Sequence, residues 1–284
     1  MKRYKNIGFV VLIILSAAPA LSQGAWHKEK GKGFFKLAQS SIISDQFYSP
    51  EGTIQDIKTA GVHITSLYGE YGLSDRWTVA AYVPFFFRNT INEQEFAISP
   101  NVEAGDESNS FGDTDIAIQY GILKKGPWVL STSLLLGLPL GETSGGTSGV
   151  LQSGDGEFNQ LLRVHGGYSF YPAPFWAAGY AGFNNRTQDF SDEVRFGAEV
   201  GVTVGSNFFA VLKLDIVESL MNGEAATSQT GIFSNNLEFT SFGPELSYVF
   251  DNGWGISAAA FGALNGQNIL ASPAFSIGLV YDLK

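Results

Sequence analysis

Residues 192–218 read DEVRFGAEVGVTVGSNFFAVLKLDIVE, and the alternation within this stretch decides the fold. Glu193, Arg195 and Glu199 share one parity, whereas the intervening positions are valine, phenylalanine and alanine. After a turn at 205–207, the return arm places Lys213 and Asp215 on the same polar parity. Because side chains along a strand alternate between its two faces, the stretch predicts a β-hairpin with one polar and one apolar face.

The arms of this hairpin are about eleven to thirteen residues long. Strands of soluble proteins are mostly about 5–6 residues long, whereas a tilted strand needs about 9–11 residues to cross a bilayer. Arms of this kind recur along the whole chain, at residues 33–45, 59–72, 77–87, 111–123, 128–138, 158–170, 175–185, 192–204, 208–218, 237–250, 254–263 and 270–282. The pattern therefore predicts twelve strands that are long enough to span a membrane.

Apolar runs in the chain are too short for membrane helices. After residue 22, no uncharged apolar run reaches the length of about 18–20 residues that a spanning helix needs. Strands can enter lipid only when every backbone polar group is paired, which requires a closed barrel. We therefore expect an all-β fold, a transmembrane antiparallel up-and-down β-barrel of about twelve strands. A soluble β-sandwich is the alternative that alternation alone would allow.

The first residues have the organisation of a secretory signal peptide. Lys2, Arg3 and Lys5 form a basic region, residues 7–15 an apolar core, and residues 20–22 a small-x-small cleavage site. We expect a signal peptide at 1–22 and a single barrel domain at 23–284. Removing the three basic residues changes the formal charge from −10 to −13. A chain this acidic is a poor nucleic-acid ligand, so no nucleic-acid partner is expected.

The connections between the predicted strands fall into two classes. Those that follow even-numbered strands have about three or four residues, and those that follow odd-numbered strands run from about six to over twenty. Aromatic residues flank the short turns, at Trp77, Trp128, Phe175, Phe208 and Trp254, and again at Tyr120, Tyr168, Tyr248, Phe250 and Tyr281. Short periplasmic turns, long outer loops and aromatic girdles are typical of outer-membrane barrels, so the bacterial outer membrane is the predicted location.

Short glycine-containing motifs connect the chain to a known family. They are FGDTD at 111–115, GLPLG at 137–141 and GDG at 154–156, with YGLSDRW at 71–77 and VP at 83–84. Over residues 59–281, the chain resembles a family of outer-membrane proteins described as transporters of a phenol-degradation (meta-cleavage) pathway. The resemblance implies a small-molecule outer-membrane channel. It implies no particular substrate and carries over no binding residues.

The residues on the polar face of each strand are the candidate pore lining, because this face is expected to point into the barrel. These inward residues are Asp113, Asp115, Gln119, Arg163, His165, Glu193, Arg195, Glu199, Lys213, Asp215 and Glu245. Opposite charges across a constriction could orient a polar or aromatic solute. The same charges could instead form a buried ion-pair network that fills a narrow barrel, since twelve strands lie between filled eight-stranded barrels and wide porins. Arg163 and His165, two residues apart, could bind an anion or simply serve as wall residues.

The predicted function is passive passage of small molecules, including aromatic or hydrophobic compounds. The alternative is a structural or interaction barrel with a closed lumen and surface-exposed loops. With three histidines, no cysteine and no nucleophile motif, the sequence predicts no enzyme, catalytic residue, metal site or cofactor. The acidic residues between 93 and 107 could hold Ca²⁺ but are more simply a solvated loop. Expected partners are outer-membrane lipids, lipopolysaccharide, a small-molecule solute and the barrel-assembly machinery.

Overall fold

The structure, a computed structural model, describes residues 24–95, 102–224 and 233–284. Within these ranges, no helix is long and apolar enough to cross a membrane. The predicted signal peptide lies outside the described residues. So do residues 96–101 of the acidic insert (residues 88–110) and residues 225–232 of the loop before residue 237.

Sixteen strands are present in the described chain. Twelve are long, and four (β4, β5, β6 and β15) have two to five residues. In chain order they are β1 (Gly33–Tyr48), β2 (Ile54–Gly72), β3 (Trp77–Ile91), β4 (Gln94–Glu95), β5 (Val102–Glu103), β6 (Asp106–Ser110), β7 (Thr114–Lys125), β8 (Trp128–Leu138), β9 (Asn159–Ser169), β10 (Phe175–Arg186), β11 (Glu193–Val204), β12 (Phe208–Ser219), β13 (Glu238–Val249), β14 (Trp254–Gln267), β15 (Ile269–Leu270) and β16 (Ala274–Leu283).

The twelve long strands form one closed antiparallel barrel. Each pairs with its neighbour in the chain, and β1 pairs with both β2 and β16. Gly33 faces Leu283 across the closing pair, and Ile42 faces Ala274. Closure leaves no unpaired edge among these strands, which is the condition for a sheet to stand in lipid. The predicted twelve-stranded up-and-down barrel is confirmed.

The connections at the short-turn rim also match the prediction, at residues 73–76, 126–127, 170–174, 205–207 and 250–253. At the opposite rim, the predicted strands at 33–45 and 59–72 leave residues 47–58 as a loop, and this prediction is wrong. Gln46 pairs with Asp56 and Tyr48 with Ile54, so only residues 49–53 turn. The Ser49 hydroxyl closes this turn by accepting the amides of Glu51 and Thr53.

The acidic insert is likewise more ordered than a loop. Strand β3 continues to Ile91, and β6 returns along it with Phe87 opposite Ser110 and Ile91 opposite Asp106. Strand β14 continues to Gln267 where the pattern predicted an end at residue 263. Polar residues such as Arg88, Asn89, Asn265 and Gln267 lie in these extensions, which are defined by backbone pairing rather than by apolar alternation.

The barrel exterior is apolar and bounded by aromatic rings at the short-turn rim. Leu162, Val200 and Ile277 are among the exposed outward side chains. At the rim, Trp77 lies 4.7 Å from Tyr120, Trp128 lies 4.6 Å from Tyr168, and Trp254 lies 4.9 Å from Tyr281, measured between ring centroids. The predicted aromatic girdle is present at these pairs, and the architecture is that of a bacterial outer-membrane barrel.

Candidate functional site

A cavity of about 270 Å³ lies inside the barrel, toward the long-loop rim. Its wall has two chemically different halves. The apolar half comes from β2, β3, β12, β13, β15 and the segment before β13: Ile64, Phe87, Val217, Phe233, Leu237, Phe239, Ile269 and Leu270. Phe87 and Phe233 contact each other with ring centroids 5.9 Å apart. A cavity of about 150 Å³ is enough for benzene in a protein interior, so this volume suits a substituted single ring.

The charged side chains of the wall come from β7 and β9 to β12, and Leu135 of β8 and Leu161 of β9 lie among them. Arg195 faces the cavity and donates from Nε and Nη2 to Glu193 Oε2, at 2.8 and 2.5 Å. Tyr180 donates its hydroxyl hydrogen to Asp215 Oδ1 at 2.9 Å. Asp115 lines the same wall, so the cavity offers a cation, a phenol and carboxylates beside an apolar face.

Arg186 joins the charged wall to the outer loop. Its guanidinium bonds Asp155 Oδ2 at 2.8 Å, Glu157 Oε1 at 2.8 Å and Glu193 Oε1 at 2.9 Å. The guanidinium also lies 4.5 Å above the ring of Phe190. All four ionic side chains are largely buried. Because a buried charge is costly unless it is paired, this cluster holds Asp155 and Glu157 against the barrel wall.

The glycine-rich loop (residues 139–158) is also tied to the segment before β7. Asp113 accepts the amide of Gly141 at 2.8 Å and the amide of Asp155 at 3.0 Å. The hydroxyl of Ser153 donates to the carbonyl of Phe111 at 2.7 Å. Burial raises the pKa of Asp113 and of Asp155, although amide hydrogen bonds lower the first and Arg186 lowers the second. The loop therefore folds over the cavity.

A second inward segment occupies the short-turn end of the lumen. In the N-terminal segment (residues 24–32), the carbonyl of Gly24 accepts from Gln119 Nε2 at 3.0 Å. The carbonyl of Ala25 accepts from Ser131 Oγ at 2.9 Å. These bonds fix the start of the segment inside the barrel by its backbone carbonyls.

The side chains of the N-terminal segment extend these contacts around the lumen. Trp26 meets Trp176 edge to face at 5.5 Å. Lys28 donates its amide to Thr78 at 2.7 Å and pairs with Glu70 at 3.5 Å. With Gly24 close to Glu199 on β11, the segment contacts strands from β2 round to β11.

A separate ion-pair cluster lies beside this segment. Glu245 binds Lys213 at 2.8 Å and Lys36 at 2.5 Å. Glu199, Lys213 and His165 border a space of about 10 Å³, room for about one water molecule. These residues therefore line no open passage in the structure.

The structure separates the eleven predicted pore residues into two groups. Those on the cavity wall are Asp113, Asp115, Arg163, Glu193, Arg195 and Asp215. Those placed elsewhere in the lumen are Gln119, His165, Glu199, Lys213 and Glu245. His165 is 1% exposed and its Nε2 lies 2.8 Å from Ser133 Oγ, as in the wall-residue alternative.

Sequence reasoning misses the residues that close the lumen. The residue pattern assigns Arg186 and Asp155 to loops, and it gives the N-terminal segment no role. Tyr180 is also missed, although its even parity on β10 opposite Gly197 is visible once the strands are aligned. Arg186 lies six residues after Tyr180 on β10, so the two side chains point to the same face of the strand. This spacing is the one signal in the sequence that could have identified Arg186.

Among the residues the structure describes, no group of three or more His, Asp or Glu side chains is arranged to hold a metal ion. In the acidic insert, Lys58 binds Glu103 at 2.5 Å and Arg88 binds Glu107 at 2.7 Å.

Comparisons with known proteins show the fold. No family model matches the chain, and no curated protein matches it. Among solved structures, it is similar to a COG4313 outer membrane channel from Pseudomonas putida F1, with a TM-score of 0.64 and 15% identity over 94% of this chain and 100% of that one. It is also similar to the NanC porin, with a TM-score of 0.53 and 11% identity over 87% of this chain and 98% of that one. Both likenesses are to outer-membrane barrels.

Proposed function

We propose that the protein is an outer-membrane channel that passes small amphipathic molecules, with a substituted aromatic ring as the best-fitting solute. The observation that carries the proposal is the two-sided cavity. The apolar wall at Phe87, Phe233 and Phe239 suits a ring, while Arg195 and Asp115 offer partners for its polar substituent. Similarity to a channel and a porin in solved structures supports the same proposal.

The mechanism is diffusion between two movable closures. A solute enters past the glycine-rich loop, whose attachment depends on Arg186 and Asp113. It rests in the cavity with its ring on the apolar wall and its polar group on the charged wall. It leaves toward the short-turn rim when the N-terminal segment shifts from Gln119 and Ser131. The bonds to these two residues are hydrogen bonds worth about 0.5–1.5 kcal/mol each, so displacement is feasible without unfolding the barrel.

The second candidate is a structural or interaction barrel with a closed lumen. The N-terminal segment favours it, because Ala25 is 1% exposed and Trp26 packs on Trp176 inside the barrel. In this hypothesis the ion-pair clusters fill the lumen and stabilise the barrel, and the outer loops make the contacts with partner molecules. Both hypotheses place lipids around the apolar exterior and lipopolysaccharide at the outer rim, and both require the barrel-assembly machinery for insertion.

Single-channel recording in planar bilayers distinguishes the two. Ser131→Ala combined with Gln119→Leu removes the donors to Gly24 and Ala25, and we expect longer or larger conductance steps than in the wild type. Ser133→Ala is the matched control, since Ser133 bonds His165 and not the N-terminal segment. If neither the wild type nor the double variant conducts, and neither passes solute into liposomes, the channel proposal fails and the closed barrel stands.

A further inference from the structure

The longest interruption of ladder pairing in the barrel wall lies between β3 and β7, and a shorter one lies at Gly243 and Pro244 between β13 and β14. Ladder pairing runs from Trp77 opposite Tyr120 to Tyr82 opposite Asp115. It resumes only where Phe87 faces Ser110 of β6. Across the interval, residues 83–86 lie opposite residues 111–114, and the amide of Gly112 donates to the carbonyl of Pro84 at 2.9 Å. We call this interval the β3–β7 seam.

Pro84 is the chemical cause of the interruption. The carbonyl of Pro84 points toward the segment before β7, because it accepts the Gly112 amide. A residue in a strand directs its N–H and C=O to the same neighbour, so an ordinary residue here would also donate in that direction. Proline has no N–H to give. On its other side, β3 bulges between Val83 and Phe86 relative to β2, which bends the strand at the same place.

The seam separates the cavity from the lipid by the thickness of one strand. On the inside, Pro84, Phe87 and Asp113 line the cavity. On the outside, Phe85, Phe86 and Phe111 are exposed. Gly112 closes the interval, since a Cβ there would lie 2.7 Å from Pro84 Cγ and 3.0 Å from Phe87 Cδ2. Apolar side chains therefore flank the interval on both sides of the wall, and Gly112 packs against Pro84 and Phe87 between them.

Besides its bond to Pro84, the segment 111–113 is attached to the glycine-rich loop. Ser153 bonds the carbonyl of Phe111, and the Asp113 carboxylate accepts two loop amides. A movement of the loop would therefore draw this segment away from Pro84. The same motion would open the seam and uncover the cavity.

We propose that the β3–β7 seam is a lateral portal through which apolar aromatic molecules dissolved in the outer leaflet enter the cavity. This inference rests on the proposed function and assigns it a substrate class, molecules that partition into the membrane, and a route. The portal admits the ring between Pro84 and Gly112. Polar substituents then reach Asp113 and the charged wall behind it.

The test is a reversible lock across the seam. Pro84→Cys with Gly112→Cys places two Cβ atoms about 3.2 Å apart, close to the Cβ separation of a disulfide, about 3.5–4.5 Å. The chain has no native cysteine, so no other pairing competes. The control lock is Ala80→Cys with Ala117→Cys, inward partners where β3 and β7 are already paired. The probes are naphthalene transfer into vesicles with a lipopolysaccharide outer leaflet, and potassium chloride conductance.

Naphthalene transfer is measured as the rate above that of protein-free vesicles. We expect the oxidised seam variant to show none of this excess transfer, and we expect a reductant to restore it. Conductance stays unchanged, and the control lock affects neither. Gly112→Ala, which wedges the seam against Pro84, is expected to raise transfer in the same assay. Undiminished transfer through the oxidised lock, with conductance intact, overturns the portal and leaves the channel standing. A wild-type barrel that neither conducts nor transfers overturns both.

Discussion

The ring of Tyr180 lies flat against Gly197, its register partner on β11, in space that any side chain at position 197 would occupy. The absence of a Cβ lets the ring lie across the lumen wall and direct its hydroxyl to Asp215. Trp176 repeats the arrangement over Gly201. Aromatic residues opposite strand glycines thus shape one half of the lumen.

We expect Gly197→Ala to displace the Tyr180 ring and break its hydrogen bond to Asp215. Overpacking of this kind costs about 1–3 kcal/mol, so the thermal unfolding midpoint should fall. Gly166→Ala is the control, because Gly166 is exposed on neighbouring β9 and a methyl group there would have no neighbouring atom within 4 Å. Equal midpoints for the two variants would show that the packing of Tyr180 on Gly197 does not contribute to stability.

Arg186→Gln should release the glycine-rich loop. The substitution leaves Asp155, Glu157 and Glu193 buried without their shared cation, and breaking a buried pair costs about 3–5 kcal/mol. Proteolysis within residues 139–158 should become faster, and the unfolding midpoint should drop. Arg88→Gln provides the contrast: its bond to Glu107 is exposed and worth about 0–1 kcal/mol. Similar losses in both variants would argue against Arg186 as the attachment point of the loop.

Asp106 should keep the tip of the glycine-rich loop, at Thr147 and Ser148, attached even at acid pH. It accepts the amides of Thr147 and Ser148, each at 2.9 Å, and both of their hydroxyls. Hydrogen bonds from Ser148 and then Thr147 lower the pKa of Asp106. A lowered folded-state pKa means that the contribution is present above the unfolded value of about 3.9 and is lost only as pH falls through the folded value.

Amide hydrogen exchange at Thr147 and Ser148 measures this attachment. We expect protection of the two amides to persist from neutral pH to about pH 4, and to fall in Asp106→Asn at every pH. Glu107→Gln, the adjacent residue on β6, should leave it unchanged. Loss of protection in the wild type near pH 5 would contradict the lowered pKa.

Ion selectivity should respond to Arg195 more than to Lys213. Arg195 faces the cavity, so Arg195→Gln removes a positive charge from the conducting space and should shift the reversal potential toward cations. Lys213 is paired with Glu245, which keeps Lys36 as a second partner, so Lys213→Gln should change selectivity less. Reversal potentials in a salt gradient measure the selectivity of both variants. A larger shift for the Lys213 variant would place the constriction at the ion-pair cluster of Lys36, Lys213 and Glu245.

The sequence predicts the strands of the barrel wall more completely than the contacts made inside the barrel. Trp128–Leu138 is predicted to the residue, because turn residues bound a strand with strict alternation. The extensions of β1 and β2 are missed, since Gln46, Gln55 and Asp56 interrupt the apolar alternation that would reveal a strand. Alternation also indicates which charges point inward.

Which inward residues meet each other could not be predicted in the same way. The N-terminal segment is held through the carbonyls of Gly24 and Ala25, and backbone groups leave no trace in a residue pattern. The partners of Arg186 come from a loop and from a neighbouring strand, so their contact depends on loop conformation. Register between strands, and not alternation within them, decides these contacts.

The pairing of Gly33–Tyr48 with Ala274–Leu283 has a consequence for how the molecule is made. The two strands that complete the ring are the earliest and latest of the twelve along the polypeptide. Their encounter closes a loop of well over two hundred residues, since Ile42 pairs with Ala274 and Gly33 with Leu283, and it must wait until the final strand is in place. Until then, β1 and β14 each present a bare row of amides and carbonyls, the kind of template on which chains aggregate. A chain that is forming its barrel therefore needs both edges shielded until the last strand pairs with them.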